Sequence, residues 1–111
     1  PRELVWGRYS FLVQDRVVRV DGTELSTLTS KEFDLAFIMF RNMGRLLSRA
    51  HLIEAVWGID ADISSRSLDV YMSHVRSKLS LRAESGYKLV SVYSHGYRLE
   101  DLGTVPSDQA P

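Results

Sequence analysis

The hydrophobic pattern changes period twice along the chain. "LVWGRYSFLVQDRVVRVDGTELSTL" is rich in β-branched and aromatic residues, and Asp21-Gly22 has the composition of a type I′ hairpin turn. Short antiparallel strands are predicted over about residues 4–28. At "LTSKEF" the period lengthens. Thr29 and Glu32 have the spacing of a capping box, and Leu28 with Phe33 that of a hydrophobic staple. A helix over about 30–43 follows, with Phe33, Ala36, Phe37 and Phe40 as its buried stripe and Gly44 as its left-handed stop.

Ser48 is placed to cap a second helix, about 49–57, with Leu52, Ala55 and Val56 on its inner side and Gly58 at its end. "GIDADIS" reads as a loop, and Ser64 or Ser65 can cap a third helix over about 65–79. After Leu79 the pattern returns to strands. "YKLVSVYSHGYRL" holds two β-like runs around Ser94, His95 and Gly96, a hairpin over about 87–99. The remainder, 100–111, has little apolar content and several Pro, Ser and Asp residues, so a disordered tail is expected.

The third helix poses the functional question. Set at about 100° per residue, Leu68, Met72, Val75 and Leu79 fall on one narrow side. Opposite them lie Arg66, Val70, Ser73, His74 and Ser77, with Ser67 and Tyr71 on one shoulder and Asp69 and Arg76 on the other. A solvated helix would normally show Glu and Lys there. Small polar side chains instead allow close approach to a DNA major groove, where Ser and His can meet base edges and Val a thymine methyl. Arg66, Arg76 and Lys78 are within reach of phosphates. An ordinary surface helix fits the same residues equally well, and the order of elements breaks the tie. An N-terminal antiparallel sheet, three helices and a C-terminal β-hairpin make an α+β winged helix-turn-helix, with the last helix in the groove and the hairpin on its flank.

Composition narrows the field. The 111 residues, 44% of them apolar, suit one domain, taken here as 1–99. There is no cysteine, and His51, His74 and His95 are far apart in sequence, so neither a metal nor another cofactor is expected. No apolar run reaches the ~20 residues of a membrane span, and no signal peptide is visible, which points to a soluble, cytoplasmic setting. The chain begins at Pro1 rather than Met, as expected for a fragment lacking a neighbouring domain. Its net charge is zero, but residues 62–98 carry six basic against three acidic side chains, which places the basic excess around the third helix. Catalysis is not expected: Ser94 beside His95 in a turn lacks the convergent base and acid of a nucleophilic site, and no glycine-rich phosphate loop appears.

Four stretches resemble the effector domain of OmpR/PhoB-type response regulators: "LTSKEFDL", "GRLLSRAHLIEAVWG", "RSLDVYMSHVRSKL" and "GYRL". The resemblance covers roughly residues 4–99. It implies sequence-specific binding of double-stranded DNA in bacterial transcription control, with head-to-tail homodimers on direct repeats. It also implies contact with RNA polymerase through loop 58–64, and a phosphorylated receiver domain upstream. Carried over position by position, it makes Trp57, Arg66, Ser67, Arg76 and Tyr97 phosphate contacts, makes Val70, Ser73 and His74 base readers, and puts Tyr93, Ser94 and His95 in the wing. It also assigns Asp69 to holding a structural arginine. Two departures stand out. Ser73 and His74 replace two basic residues of many relatives, and Tyr93-Ser94-His95-Gly96-Tyr97 replaces a wing that reads Arg-Gly-x-Gly-Tyr, so the minor-groove arginine is missing. The zero net charge and that missing arginine leave a second reading, a winged helix that docks a protein partner. Steep salt dependence of binding separates the two.

Overall fold

The computed structural model describes residues 2–103. Four strands open the chain: β1 (Glu3–Trp6), β2 (Tyr9–Leu12), β3 (Val17–Val20) and β4 (Thr23–Glu24), paired antiparallel in sequence order. Alternation sends Tyr9, Phe11 and Val18 into the core. Asp21 and Gly22 both have positive φ, 53° and 84°, as a type I′ turn requires.

Helix α1 (Ser30–Arg41) starts with both halves of the capping box. Thr29 Oγ1 accepts from the Glu32 N–H, and Glu32 Oε1 accepts from the Thr29 N–H. Its buried face is wider than the expected stripe, with Leu35 and Met39 beside Phe33, Ala36 and Phe40, while Phe37 is half-buried. The helix ends two residues earlier than expected. The Asn42 side chain donates to the Ile38 carbonyl and caps it, and Gly44, at φ 80°, turns the chain so that its N–H donates to Leu99 O.

That turn leads into a strand the sequence pattern did not reveal, β5 (Leu46–Ser48). Three residues are too short to show an alternation of their own, and the strand exists because it pairs with the wing. Helix α2 (Arg49–Trp57) follows, with Ser48 Oγ accepting from the His51 N–H. Ala55, expected on the inner side, is exposed. The inward sector is centred between Leu52, Val56 and Ile53, which puts Ala55 about 100° away around the helix axis. Helix α3 (Ser65–Leu79) has Ser64 as its cap, and the chain then passes through Leu81 and a single 3-10 turn, Ala83–Ser85. The wing is β6 (Tyr87–Val92) and β7 (Gly96–Asp101), in a sheet ordered β5-β7-β6. Glu100 and Asp101, expected in the tail, therefore belong to β7, and residues 104–111 of that tail lie outside the described residues.

The core is aromatic at one end and aliphatic at the other. The rings of Trp6, Tyr9, Phe11 and Tyr87 all lie within 4.9–5.7 Å of Phe40, so that one α1 side chain gathers β1, β2 and β6. Leu68, Met72, Val75 and Leu79 of α3 are buried, as their spacing predicts. Tyr9 keeps its hydroxyl satisfied by donating to Leu79 O at 2.6 Å, which ties the first sheet to the end of α3.

The wing is seated by one glycine. Gly96 pairs with Ser48, has φ 149°, and a Cβ there would lie 2.0 Å from the Leu47 carbonyl oxygen. Two strands meet too closely for any side chain. Gly96→Ala should cost about 3 kcal/mol, from backbone strain and the clash together. Urea unfolding of the variant checks this; a midpoint equal to the parent's would show that β5 and β7 can separate freely.

Candidate nucleic-acid interface

The outward face of α3 is built by what its inner face buries. With Leu68, Met72, Val75 and Leu79 in the core, Arg66, Ser67, Val70, Ser73, His74 and Ser77 are all exposed, and Val70 keeps 52% of its surface in solvent. Asp69 is the helix's one acidic residue, and it is occupied. Its Oδ1 accepts from Arg49 Nε at 2.9 Å and from the Tyr97 hydroxyl at 2.5 Å. The Arg49 guanidinium also lies over the Tyr97 ring, 5.0 Å from its centre, and reaches Ser91 Oγ. Asp69 thus holds an arginine, as the resemblance implied, and no negative charge on this helix stands uncompensated.

Tyr97 accordingly sits differently from its expected place at a phosphate. It is buried, and its hydroxyl proton is committed to Asp69. Burial first, and then that hydrogen bond, push its pKa up to about 12, so the donor persists at any physiological pH. Arg76 is likewise engaged: Nε and Nη2 both donate to Leu89 O, at 3.1 and 3.0 Å, which fastens α3 to β6. Lys78, expected within reach of phosphates, is engaged as well. Its Nζ donates to Thr27 O and to Glu32 Oε1, both at 2.8 Å. Long basic side chains read as outward on a helical wheel have here curled onto neighbouring elements, because backbone carbonyls and a buried carboxylate offered partners.

Glu32 is a site element that the sequence marked only as half of a capping box. It is 2% exposed, and besides its bonds to Thr29 and Lys78 its Oε2 lies 3.4 Å from His74 Nδ1 on the outward face of α3. Burial works to raise its pKa, but the bonds from Lys78 and Thr29 outweigh it and hold the carboxyl below its ordinary value. Trp57, at the end of α2, is half-buried edge-on to Tyr71 of α3 at 5.0 Å, with Lys31 Nζ over its ring. Arg66 and Ser67 stand exposed at the first turn of α3, where Ser67 meets the Ser64 hydroxyl.

At the wing tip Tyr93 is 90% exposed, Ser94 takes φ 65°, and His95 Nδ1 lies 2.8 Å from Tyr93 O. An open cleft of ≈ 640 Å³ separates these three residues from Ser48, Arg49 and Ala50 of the α2 N-terminus and Ser65 and Asp69 of α3. Loop 58–64 projects beside the other end of α2, with Ile59 80% exposed. Among the described residues no cluster of His, Asp and Glu suited to a metal occurs, and no helix is long and apolar enough to cross a membrane.

Two helices joined by a loop, the second presenting a face free of net negative charge, and a hairpin fastened beside it define a winged helix-turn-helix domain. Residues 22–99 match the family described as "Transcriptional regulatory protein, C terminal". The chain belongs to that family, the DNA-binding output domains of OmpR/PhoB type. It is 42% identical over 88 residues to the sensory transduction protein RegX3 of Mycobacterium leprae, covering 79% of this chain and 44% of that protein. It is 36% identical over 74 residues to the alkaline phosphatase synthesis transcriptional regulatory protein PhoP of Bacillus subtilis, covering 67% and 31%. The chain therefore spans less than half the length of these relatives. Among solved structures, the Klebsiella pneumoniae RstA DNA-binding domain in complex with the RstA box superposes with a TM-score of 0.76 at 25% identity, over 91% of this chain and 99% of that one. The DNA-binding domain of Bacillus subtilis CssR does so at 0.70 and 30%, over 82% and 98%.

Two outcomes follow from this geometry. Asp69→Asn weakens the bonds that hold Arg49 and Tyr97, so amide hydrogen exchange in β6 and β7 should accelerate while α1 stays protected, and stability should fall by about 2–3 kcal/mol. Unchanged exchange in the wing would remove Asp69 from its support. For Glu32, a folded carboxyl below its ordinary 4.5 binds its proton less readily than the unfolded chain does. Its contribution is therefore full above that value and is lost as pH falls through the lower folded one. Between pH 5 and acid, the urea midpoint of Glu32→Gln should fall less steeply than the parent's; parallel curves would contradict the assignment.

Proposed function

We propose that this domain reads a short duplex sequence as the output half of a two-component response regulator, with α3 lying in the major groove. Val70, Ser73 and His74 meet base edges. Arg66, Ser67, Trp57 and the guanidinium N–H groups that Arg76 does not spend on Leu89 meet phosphates. The single observation carrying this reading is the outward face of α3, whose short polar side chains and compensated Asp69 leave nothing to repel a phosphate backbone. Tyr97 supports the site indirectly, by fixing Asp69, rather than by a phosphate bond of its own.

The same reading assigns the wing tip, Tyr93, Ser94 and His95, to the flank of the site, without the arginine that relatives carry there. Two copies bind head to tail on direct repeats, and loop 58–64, with exposed Ile59 between Gly58 and Asp60, is the surface offered to RNA polymerase. A receiver domain upstream would account for the length of the relatives beyond this chain. The domain acts by binding rather than catalysis, in the cytoplasm where the chromosome lies. Docking of a protein partner on α3 is not favoured, because Val70 is that face's one large exposed apolar side chain.

Selection from a random duplex library tests the proposal. The parent should enrich a short direct repeat, and Ser73→Ala should change the preferred base at one position in each half-site, at a cost on the order of 1–3 kcal/mol. Arg66→Ala should weaken cognate and random duplexes alike and lower the salt slope by roughly one unit. Absence of enrichment at low salt would defeat the reading.

A further inference from the structure

We infer that Glu32 is a positioning residue that fixes the tautomer of His74 and, through it, the base that α3 selects. The inference rests on the reading of α3 as the groove helix and adds to it a residue of α1 that touches no DNA.

The two oxygens of Glu32 have different duties. Oε1 receives the Thr29 N–H at 2.9 Å and Lys78 Nζ at 2.8 Å, which engages both of its lone pairs. Oε2 is left to face His74 Nδ1 at 3.4 Å, on a side chain only 3% exposed, where little water can intervene. At that distance the contact is electrostatic rather than a close hydrogen bond. Its sign is still decisive. A bare Nδ1 lone pair would oppose a desolvated carboxylate oxygen, whereas an Nδ1 proton would be attracted to it. Free imidazole side chains keep their single proton mainly on Nε2, so Glu32 reverses the ordinary preference. Lys78, one turn further along α3 and bound to the other oxygen, tempers the carboxylate's charge, while Lys31 and Tyr71 line the same ≈ 630 Å³ groove without a bond to the ring.

With the proton on Nδ1, Nε2 becomes the acceptor of a half-exposed ring. In the major groove an acceptor pairs with an amino group, cytosine N4 or adenine N6. Glu32→Gln then inverts the logic with little change in shape. The amide oxygen keeps Thr29 and Lys78, the amide NH2 faces His74 and donates to Nδ1, and the ring's proton moves to Nε2. That nitrogen now donates, and its partners become guanine O6 or N7, or thymine O4.

Two measurements on the chain as it stands decide the matter. The first uses long-range proton–nitrogen correlation spectra at pH 8, above the ordinary histidine range of about 6.5. The parent should show His74 protonated at Nδ1, and Glu32→Gln should show it protonated at Nε2. A parent ring protonated at Nε2 overturns the inference without any reference to DNA. The second is duplex selection at the same pH. One position should change from cytosine or adenine in the parent to guanine or thymine in Glu32→Gln, with a preference shifted about tenfold. The change should vanish in a His74→Ala background. An identical motif in the two proteins overturns the inference, as does a change that persists with His74→Ala, since Glu32 would then be acting through the fold. Enrichment of no motif by any of these proteins at low salt defeats the groove reading and the base assignment with it. Should Glu32→Gln fold poorly, two results still decide between the tautomers: the parent spectrum, and whether His74→Ala alone loses the cytosine or adenine preference. An Nε2 proton in the first, or a retained preference in the second, overturns the inference.

Discussion

Oδ1 of Asp69 receives hydrogen bonds from two elements that the chain brings to it from opposite directions, Arg49 of α2 and Tyr97 of β7. A carboxylate on the first half of α3 would by itself oppose a polyanion. Here its charge is matched by a guanidinium and its oxygen filled by a phenol, so it serves as the joint at which helix, helix and wing are held at one mutual angle. Arg76, donating to Leu89 O, repeats the connection about two turns further along α3. A winged helix works only if wing and recognition helix keep a fixed separation, and these bonds, with the β5–β7 pairing, supply it.

The same economy explains why a chain of zero net charge can serve a polyanion. The acidic side chain of α3 itself and the one packed against its outward face are consumed internally: Asp69 by Arg49 and Tyr97, Glu32 by Lys78, Thr29 and His74. What α3 presents is then set by hydrogen-bonding capacity and shape more than by stored positive charge. Such a surface depends on its supporting residues, because a serine or histidine offers different partners according to what holds its other side, whereas an arginine is always a donor.

Much of the fold was legible because local physics decided it. Thr29 with Glu32, Ser48, Ser64, and Asp21-Gly22 each solve a backbone problem with neighbours a few residues away, so their roles follow from spacing alone. The buried stripe of α3, and hence its outward face, follows from the helical period for the same reason. Strand β5 was not legible, since it is three residues long and owes its existence to β7, some fifty residues away.

The sequence by itself determined the order of elements, the caps and turns, and which residues of α3 face outward, since each depends on contacts within a turn or a strand pair. Only the tertiary structure decided where long side chains end. Lys78, Arg76 and Tyr97 lie within reach of many partners, and their choices of Glu32 and Thr27, Leu89, and Asp69 depend on elements 13 to 51 residues distant in sequence. Ala55 was misplaced for a related reason: a nine-residue helix has several apolar sectors, and which one is buried depends on the angle at which its neighbours pack.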